Sequence, residues 1–217
     1  MRRTALSLVL LAAATVAAGC GSGGGKSSGP VITGPGITAT KPPWKPEYTH
    51  LRERMRRFGV PPPGTERYHH HAQLHIYDDG LLVDVPTHIG LAPGVTAALH
   101  THAPGGVIHI EASKPFVATL GDFFAIWGVA FGPDQVGDLK ASGDEQIHVL
   151  VNGKPIANPI DYRIREGDNI VVARGKPDSF PKRPSVILLR QVQSGRGGSC
   201  TEQKGKKAKK KKSCTAG

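Results

Sequence analysis

The chain has 217 residues and a formal net charge of +11 at pH 7, with 28 glycines, 18 prolines and three cysteines. Much of the excess charge belongs to residues 191–217, which carry Arg196 and seven lysines against Glu202. A lysine block without interleaved aromatic residues is typical of a disordered tail that binds polyanions weakly. The composition therefore does not indicate specific nucleic-acid binding. Anionic lipids or envelope polymers are the expected partners of this tail, and a purely solubilising tail is the alternative.

Residues 1–19 have the organisation of a secretory signal. Arg2 and Arg3 precede an apolar segment, residues 5–18, that is too short to span a membrane comfortably. The small residues before Cys20 resemble the bacterial lipobox. This resemblance implies cleavage before Cys20, attachment of a diacylglyceryl group to its sulfur, and a lipid-anchored protein outside the cytoplasm of a bacterium. The alternative is an ordinary secretory signal with an incidental cysteine.

Two segments are expected to connect this anchor to one folded domain. Residues 20–46 begin with a glycine- and serine-rich stretch and predict a flexible tether. Residues 47–66 predict a short helix followed by a proline-rich linker. The apolar residues of this helix recur at helical spacing at Tyr48, Leu51, Met55 and Phe58. Its opposite face carries Arg52, Arg54, Arg56 and Arg57. We expect the apolar stripe to pack on a core, and a membrane-surface role is the alternative.

Residues 67–190 predict a histidine-rich α+β domain, and its first part has the pattern of a β-hairpin. Asp79-Gly80 is a strong two-residue turn signal. A turn there places Leu74 opposite Val85 and Ile76 opposite Val83 on an apolar face, while His75 lies opposite Asp84 on the other face.

A second hairpin carries three more histidines. With residues 103–106 as the turn, the symmetric register places His100 directly opposite His109, and His102 lies on the same face. A register shifted by two residues places His102 opposite His109 and His100 opposite Glu111 instead. Because directly opposed side chains have Cβ atoms about 4.5–5.5 Å apart, the three imidazoles converge in either register.

Eight of the ten histidines lie between His69 and His109, and imidazole is the commonest metal ligand. His100, His102 and His109 therefore predict a site for Zn(II) or Cu(II), with Glu111 or His75 as a fourth ligand or an outer partner. The run 69–71 fits the solvated start of a strand as well as it fits a metal-binding arm. The isolated histidines are expected to be structural: His50, His88 and His148.

The remaining elements complete a mixed fold. Thr119 and Asp122 form a capping-box pattern that predicts a helix over about 120–129. Asn152-Gly153 predicts a tight turn after a strand over 146–151. Residues 164–172 contain Glu166-Gly167-Asp168, which predicts another turn before a strand, and a final strand is expected over 185–189. The expected class is α+β, with mainly antiparallel hairpins and one packed helix. The segments 149–154 and 164–171 also resemble pieces of ubiquitin-like β-grasp domains.

The basic tail, residues 191–217, contains the two cysteines that remain if Cys20 carries lipid. Cys200 and Cys214 predict one disulfide in an oxidising compartment. Two free thiols in a disordered tail are the alternative.

Two blocks resemble a particular family. Leu99–Glu111, with its LHTH and IHIE motifs, and Leu120–Gly128, with its LGxFFxxWG motif, are similar to uncharacterised envelope proteins of bacteria and archaea. The resemblance covers roughly residues 70–175. It implies an envelope location and no particular activity.

The sequence thus supports three functional hypotheses. The first is a lipid-anchored extracytoplasmic protein that binds a transition metal. The second is a non-enzymatic envelope interaction module in which the histidines and Glu111 form a pH-sensitive polar network. The third is a metal-assisted hydrolase with Glu111 as general base, so whether the protein is an enzyme stays open.

Overall fold

The structure is a computed structural model that describes residues 29–64, 68–185, 200–201 and 213–214. The helices of this part of the chain are α1 (Leu51–Phe58) and α2 (Leu120–Trp127). The strands are β1 (Tyr68–Asp78), β2 (Leu81–Val83), β3 (Leu91–Ala92), β4 (Val95–Thr96), β5 (Leu99–His100), β6 (Val107–Ala112), β7 (Phe131–Gly132), β8 (Gln135–Val136), β9 (Leu139–Lys140), β10 (Gln146–Val151), β11 (Lys154–Pro155), β12 (Asn169–Gly175), β13 (Cys200–Thr201) and β14 (Ser213–Cys214).

The main sheet has the strand order β11-β10-β12-β1-β6-β5, and β2 pairs with the second half of β1. β1 and β12 run parallel, whereas the other neighbouring strands run antiparallel. The predicted α+β class, with mainly antiparallel hairpins, is confirmed. The likeness to β-grasp domains stays a prediction.

α2 packs against this sheet and forms the centre of the core. Thr119 and Asp122 make the predicted capping box, and Gly128 ends the helix in the left-handed conformation. Seven of its eight residues are buried, so the helix is covered on more than its sheet-facing side. Phe124 stacks on Phe131 at 4.1 Å between ring centroids. The aromatic residues of this helix are therefore core, as predicted.

Residues 29–46 differ from the flexible tether that their composition predicts. Ile32 and Trp44 are buried in the main core. The Trp44 ring meets Trp127 edge-on at 5.8 Å, and the N–H of Thr38 donates to the carbonyl of Gly128. The physical reason is that α2 is apolar on its outer side as well, and this segment removes that side from water. Residues 20–28 lie outside the described part.

α1 is shorter than the apolar spacing predicts, because it begins at Leu51 and leaves Tyr48 before it. Arg54 is the second difference. The sequence places it on the polar face, yet it is fully buried. Its guanidinium pairs with Glu47 and donates to the carbonyls of Pro35 (3.1 Å) and Ile126 (3.2 Å). Ile126 lies in the last turn of α2, where free carbonyls attract a cation.

The predicted hairpin registers are confirmed where the strands pair. Ile76 lies opposite Val83, and His100 lies opposite His109. β2 ends at Val83, so the ladder does not extend to the predicted pair of His75 with Asp84. The β5–β6 turn occupies that edge of β1 instead, because the N–H of Leu74 donates to the carbonyl of Gly106 at 2.8 Å.

Replacing Gly106 with alanine is expected to destabilise the hairpin that carries the histidines. Gly106 has φ +75°, and an added Cβ would collide with the carbonyl oxygen of Leu74. Gly94 is the matched control, since it has φ +71° and open space around it. We expect Gly94→Ala to lower the free energy of unfolding by about 1 kcal/mol through backbone strain, and Gly106→Ala to lower it by about 1–3 kcal/mol more. Urea denaturation measures both values, and equal decreases in the two variants would contradict the clash at Gly106.

The C-terminal tail is described only at two short strands. β13 and β14 pair antiparallel, in a register that makes Cys200 and Cys214 Cα partners. Opposed Cα atoms in such a pair are about 4.5–5.5 Å apart, which is within the usual range for a disulfide. The disulfide stays a prediction. The lysines at 204–212, Cys20 and the expected strand over 185–189 lie mostly or wholly outside the described residues.

In the described ranges, no helix is long and apolar enough to cross a membrane. The predicted signal segment, residues 1–19, lies outside them.

Candidate metal centre

The adjacent strands β5, β6 and β1 each place one histidine in the same row across the sheet. On β6, His109 lies opposite His100 of β5 on one side and opposite His71 of β1 on the other. In the next row Glu111 lies opposite His69. Because directly opposed residues on one face are close neighbours, the sheet itself holds these side chains together.

The first group consists of His100, His102, His109 and Glu111. One ligand atom from each lies within 4.8 Å of all the others. The Nε2 atoms of His100 and His102 are 3.0 Å apart, and Oε1 of Glu111 is 3.4 Å from Nδ1 of His109. The predicted convergence of the three imidazoles is therefore confirmed, and Glu111 joins them.

The second group consists of His69, His71 and His109, whose ligand atoms also lie within 4.8 Å of one another. The sequence left the run 69–71 undecided between a solvated strand and a metal arm. Strand alternation divides it: His69 and His71 share the face of His109, whereas the ring of His70 lies 4.3 Å from that of Tyr68. Strand alternation was the signal in the sequence that could have placed His69 and His71 on one face. It could not show that this face meets His109, because the pairing of β1 with β6 is not local in sequence.

Burial differs across the two groups and indicates where the site opens. His71, His100 and His109 are buried, while the side chains of His69 and His102 are 32% and 53% exposed. Glu111 lies between these extremes at 21%. An ion would therefore enter past His69 and His102 and meet the buried imidazoles below them.

One hydrogen bond sets the orientation of His100. Its Nδ1 lies 2.9 Å from the carbonyl oxygen of Ala97. A carbonyl only accepts, so Nδ1 carries the hydrogen and Nε2 keeps its lone pair. That lone pair lies on the side of His102 and Glu111. Such an outer partner is how proteins orient a metal-binding histidine.

Burial also keeps the deeper imidazoles neutral. Loss of solvation, the largest cause, acts together with the nearby imidazoles of His71 and His102 to lower the pKa of His109 to about 3. Burial likewise lowers the pKa values of His100 and His71. A metal ion binds the neutral imidazole, so these rings are in the binding form at neutral pH.

The metal-free chain is consequently expected to lose stability in mild acid. Each buried histidine has a folded pKa below its unfolded value of about 6.5. Above pH 6.5 neither state of His109 binds the proton; as the pH falls from about 6.5 toward 3, only the unfolded state binds it, and the free energy of unfolding decreases. We expect His109 to account for a loss of about 2 kcal/mol between pH 7 and pH 5, and His71 and His100 to act in the same direction. Urea denaturation at both pH values measures it, and an unchanged midpoint would contradict it.

Several ring nitrogens in the site are buried without a hydrogen-bond partner. They are both nitrogens of His71 and Nδ1 of His109. An unsatisfied buried polar atom costs about 1–3 kcal/mol. Coordination to an ion would satisfy these atoms, which is consistent with a site built for a ligand.

The other predicted residues lie outside both groups. His75 lines a separate cavity of about 120 Å³ together with Asp84, and its Nε2 is buried without a hydrogen-bond partner. His50 contacts Glu47 at 3.1 Å, and His148 contacts the carbonyl of Gly175 at 3.1 Å. His75 is therefore not placed to complete the coordination of an ion in either group. The contacts of His50 and His148 agree with the prediction that these two histidines have structural roles.

The chain matches no protein-family model, no curated protein and no solved structure. The resemblance to bacterial and archaeal envelope proteins therefore stays a prediction.

Proposed function

We propose that this protein is a lipid-anchored extracytoplasmic domain that binds Zn(II) or Cu(II) through His100, His102 and His109, with Glu111 as the fourth ligand. The observation that carries the proposal is the convergence of these four side chains within 4.8 Å. Three imidazoles and one carboxylate are a ligand set that suits zinc and copper. Calcium and magnesium prefer oxygen ligands, so this set disfavours them.

The lipid anchor is supported by the sequence around Cys20 alone. We propose that Cys20 carries the lipid and that Cys200 and Cys214 form a disulfide outside the cytoplasm. The register that pairs the backbones of these two cysteines supports the second part. The lysines of the tail would then lie near anionic lipid headgroups or envelope polymers.

Metal titration tests the proposed site directly. The full chain is stripped with a chelator and titrated with Zn(II) and Cu(II) in competition with that chelator. We expect tight binding at the first group, and at least a 100-fold loss of affinity there in the double variant His100→Ala/His109→Ala, because loss of an outer hydrogen-bond partner alone already costs about 10–100-fold.

His88→Asn is the matched control for this titration. His88 is exposed, lies outside both groups and has φ +64°, a conformation that asparagine tolerates. Its affinity should equal that of the wild-type chain. If the wild-type chain and the double variant bound the metal equally weakly, the proposed site would be overturned.

Labelling of the native host with a radioactive fatty acid tests the anchor. The wild-type chain should appear in the membrane fraction and carry the label, whereas Cys20→Ala should carry none. A Cys20→Ala chain that carries as much label as the wild type would overturn lipid attachment at Cys20.

One contact favours the polar-network alternative. Nε2 of His69 lies 3.0 Å from Oε1 of Glu111, which is an ion pair whenever His69 is protonated. A chain without measurable metal affinity, in which Glu111→Gln changes the pH dependence of stability, would favour this network over the metal site.

A further inference from the structure

His71 is the residue that the first group leaves unexplained. It is 2% exposed, and neither of its ring nitrogens has a hydrogen-bond partner. A neutral imidazole has one N–H donor and one acceptor, so both of its polar functions are buried at a cost of about 1–3 kcal/mol each. A side chain held in this way on a central strand needs a ligand that the rest of the fold does not supply.

The surroundings of His71 have the geometry of a second ion site. Its ring centroid lies 4.4 Å from that of His69 and 4.6 Å from that of His109. The ligand atoms of the three residues lie within 4.8 Å of one another. Three nitrogen ligands, one of them partly exposed, match a transition-metal site with a position open to solvent.

We infer that the centre is dinuclear: a second divalent transition-metal ion binds to His69, His71 and His109, beside the ion of the first group. His109 belongs to both groups and lies between His71 and His100 in the sheet. Imidazole has two ring nitrogens, so the ring of His109 would serve both ions, one through each nitrogen. The single N–H proton of the ring leaves to solvent when both nitrogens are coordinated. The inference rests on the proposed function, because the two ions share His109.

The charges around the two groups suit a pair of cations. Oε1 of Glu111 lies 3.0 Å from Nε2 of His69 in the second group and 3.8 Å from Nε2 of His100 in the first. Glu166 adds a carboxylate next to the second group, where its Oε2 accepts the backbone N–H of His71 at 2.7 Å. These negative charges reduce the repulsion between two neighbouring cations.

Metal stoichiometry in two matched variants tests the inference. His69 and His102 are the most exposed histidines of the second and the first group, so truncating either should leave the fold intact. The full wild-type chain and the variants His69→Ala and His102→Ala are saturated with Zn(II) or Cu(II), and bound metal is measured by elemental analysis after removal of free ion. A chelator competition then gives the affinity of each site.

We expect two ions per wild-type chain and one tightly bound ion in each variant, with the affinity of the other site reduced at least tenfold. His71→Leu should repeat the effect of His69→Ala. One ion per wild-type chain, sensitive to His102→Ala and insensitive to His69→Ala, would overturn the second site and leave the proposed function intact. A single ion sensitive to both variants would also overturn it. No bound metal would overturn both proposals.

Discussion

His109→Ala is expected to abolish the stabilisation that zinc or copper gives to the chain. His109 is the residue that the first and second groups share. An ion that binds only the folded state raises the free energy of unfolding by about 4 kcal/mol when its free concentration is a thousand times its Kd. Without His109, both groups lose a buried ligand, and we expect this increment to fall below about 1 kcal/mol.

Urea denaturation with and without added metal measures the increment, and each variant is compared with its own metal-free state. This comparison removes any effect of the substitution on packing. His88→Asn should keep the full increment, since His88 belongs to neither group. A His109→Ala chain that metal stabilises as strongly as the wild type would contradict the central role of this residue.

Arg54→Ala is expected to be strongly destabilising, although Arg54 lies outside the candidate metal centre. Arg54 is fully buried and pairs with Glu47, whose side chain is 24% exposed. Removing one partner of such a pair leaves a partly buried carboxylate without its cation, at a cost of about 3–5 kcal/mol. The substitution also leaves the carbonyls of Pro35 and Ile126 without their donor.

Arg56→Ala is the matched control in the same helix. Arg56 is exposed, so its loss should change the free energy of unfolding by less than about 0.5 kcal/mol. The two variants are compared by urea denaturation at pH 7. Equal midpoints for Arg54→Ala and Arg56→Ala would show that the buried ion pair contributes nothing.

Local pattern predicted those parts of the fold whose determinants are close in sequence. The capping box at Thr119, the turn at Asn152-Gly153 and the register that places His100 opposite His109 all follow from short-range signals. These succeed because turn residues and strand alternation act over a few residues. The convergence of His100, His102 and His109 was predictable for the same reason, since one hairpin carries all three.

Long-range packing decided what local pattern left open or misplaced. The helical spacing around Arg54 indicates an exposed position, and only the end of α2, 72 residues later in the chain, makes it buried. Residues 29–46 have the composition of a linker, yet the apolar outer side of α2 takes them into the core.

In the candidate metal centre, too, local pattern predicted one part and long-range packing decided the rest. The sequence by itself determined a three-histidine face on one hairpin, because period-2 alternation and a tight turn define it. Only the tertiary structure decided that His69 and His71 meet His109, because their strand is paired with β6 across some 40 residues of chain. It also decided that His75 lies apart, because β2 ends at Val83 and the β5–β6 turn reaches Leu74 beside it. Strand pairing between distant segments depends on the core that forms between them, and a local pattern carries no information about that choice.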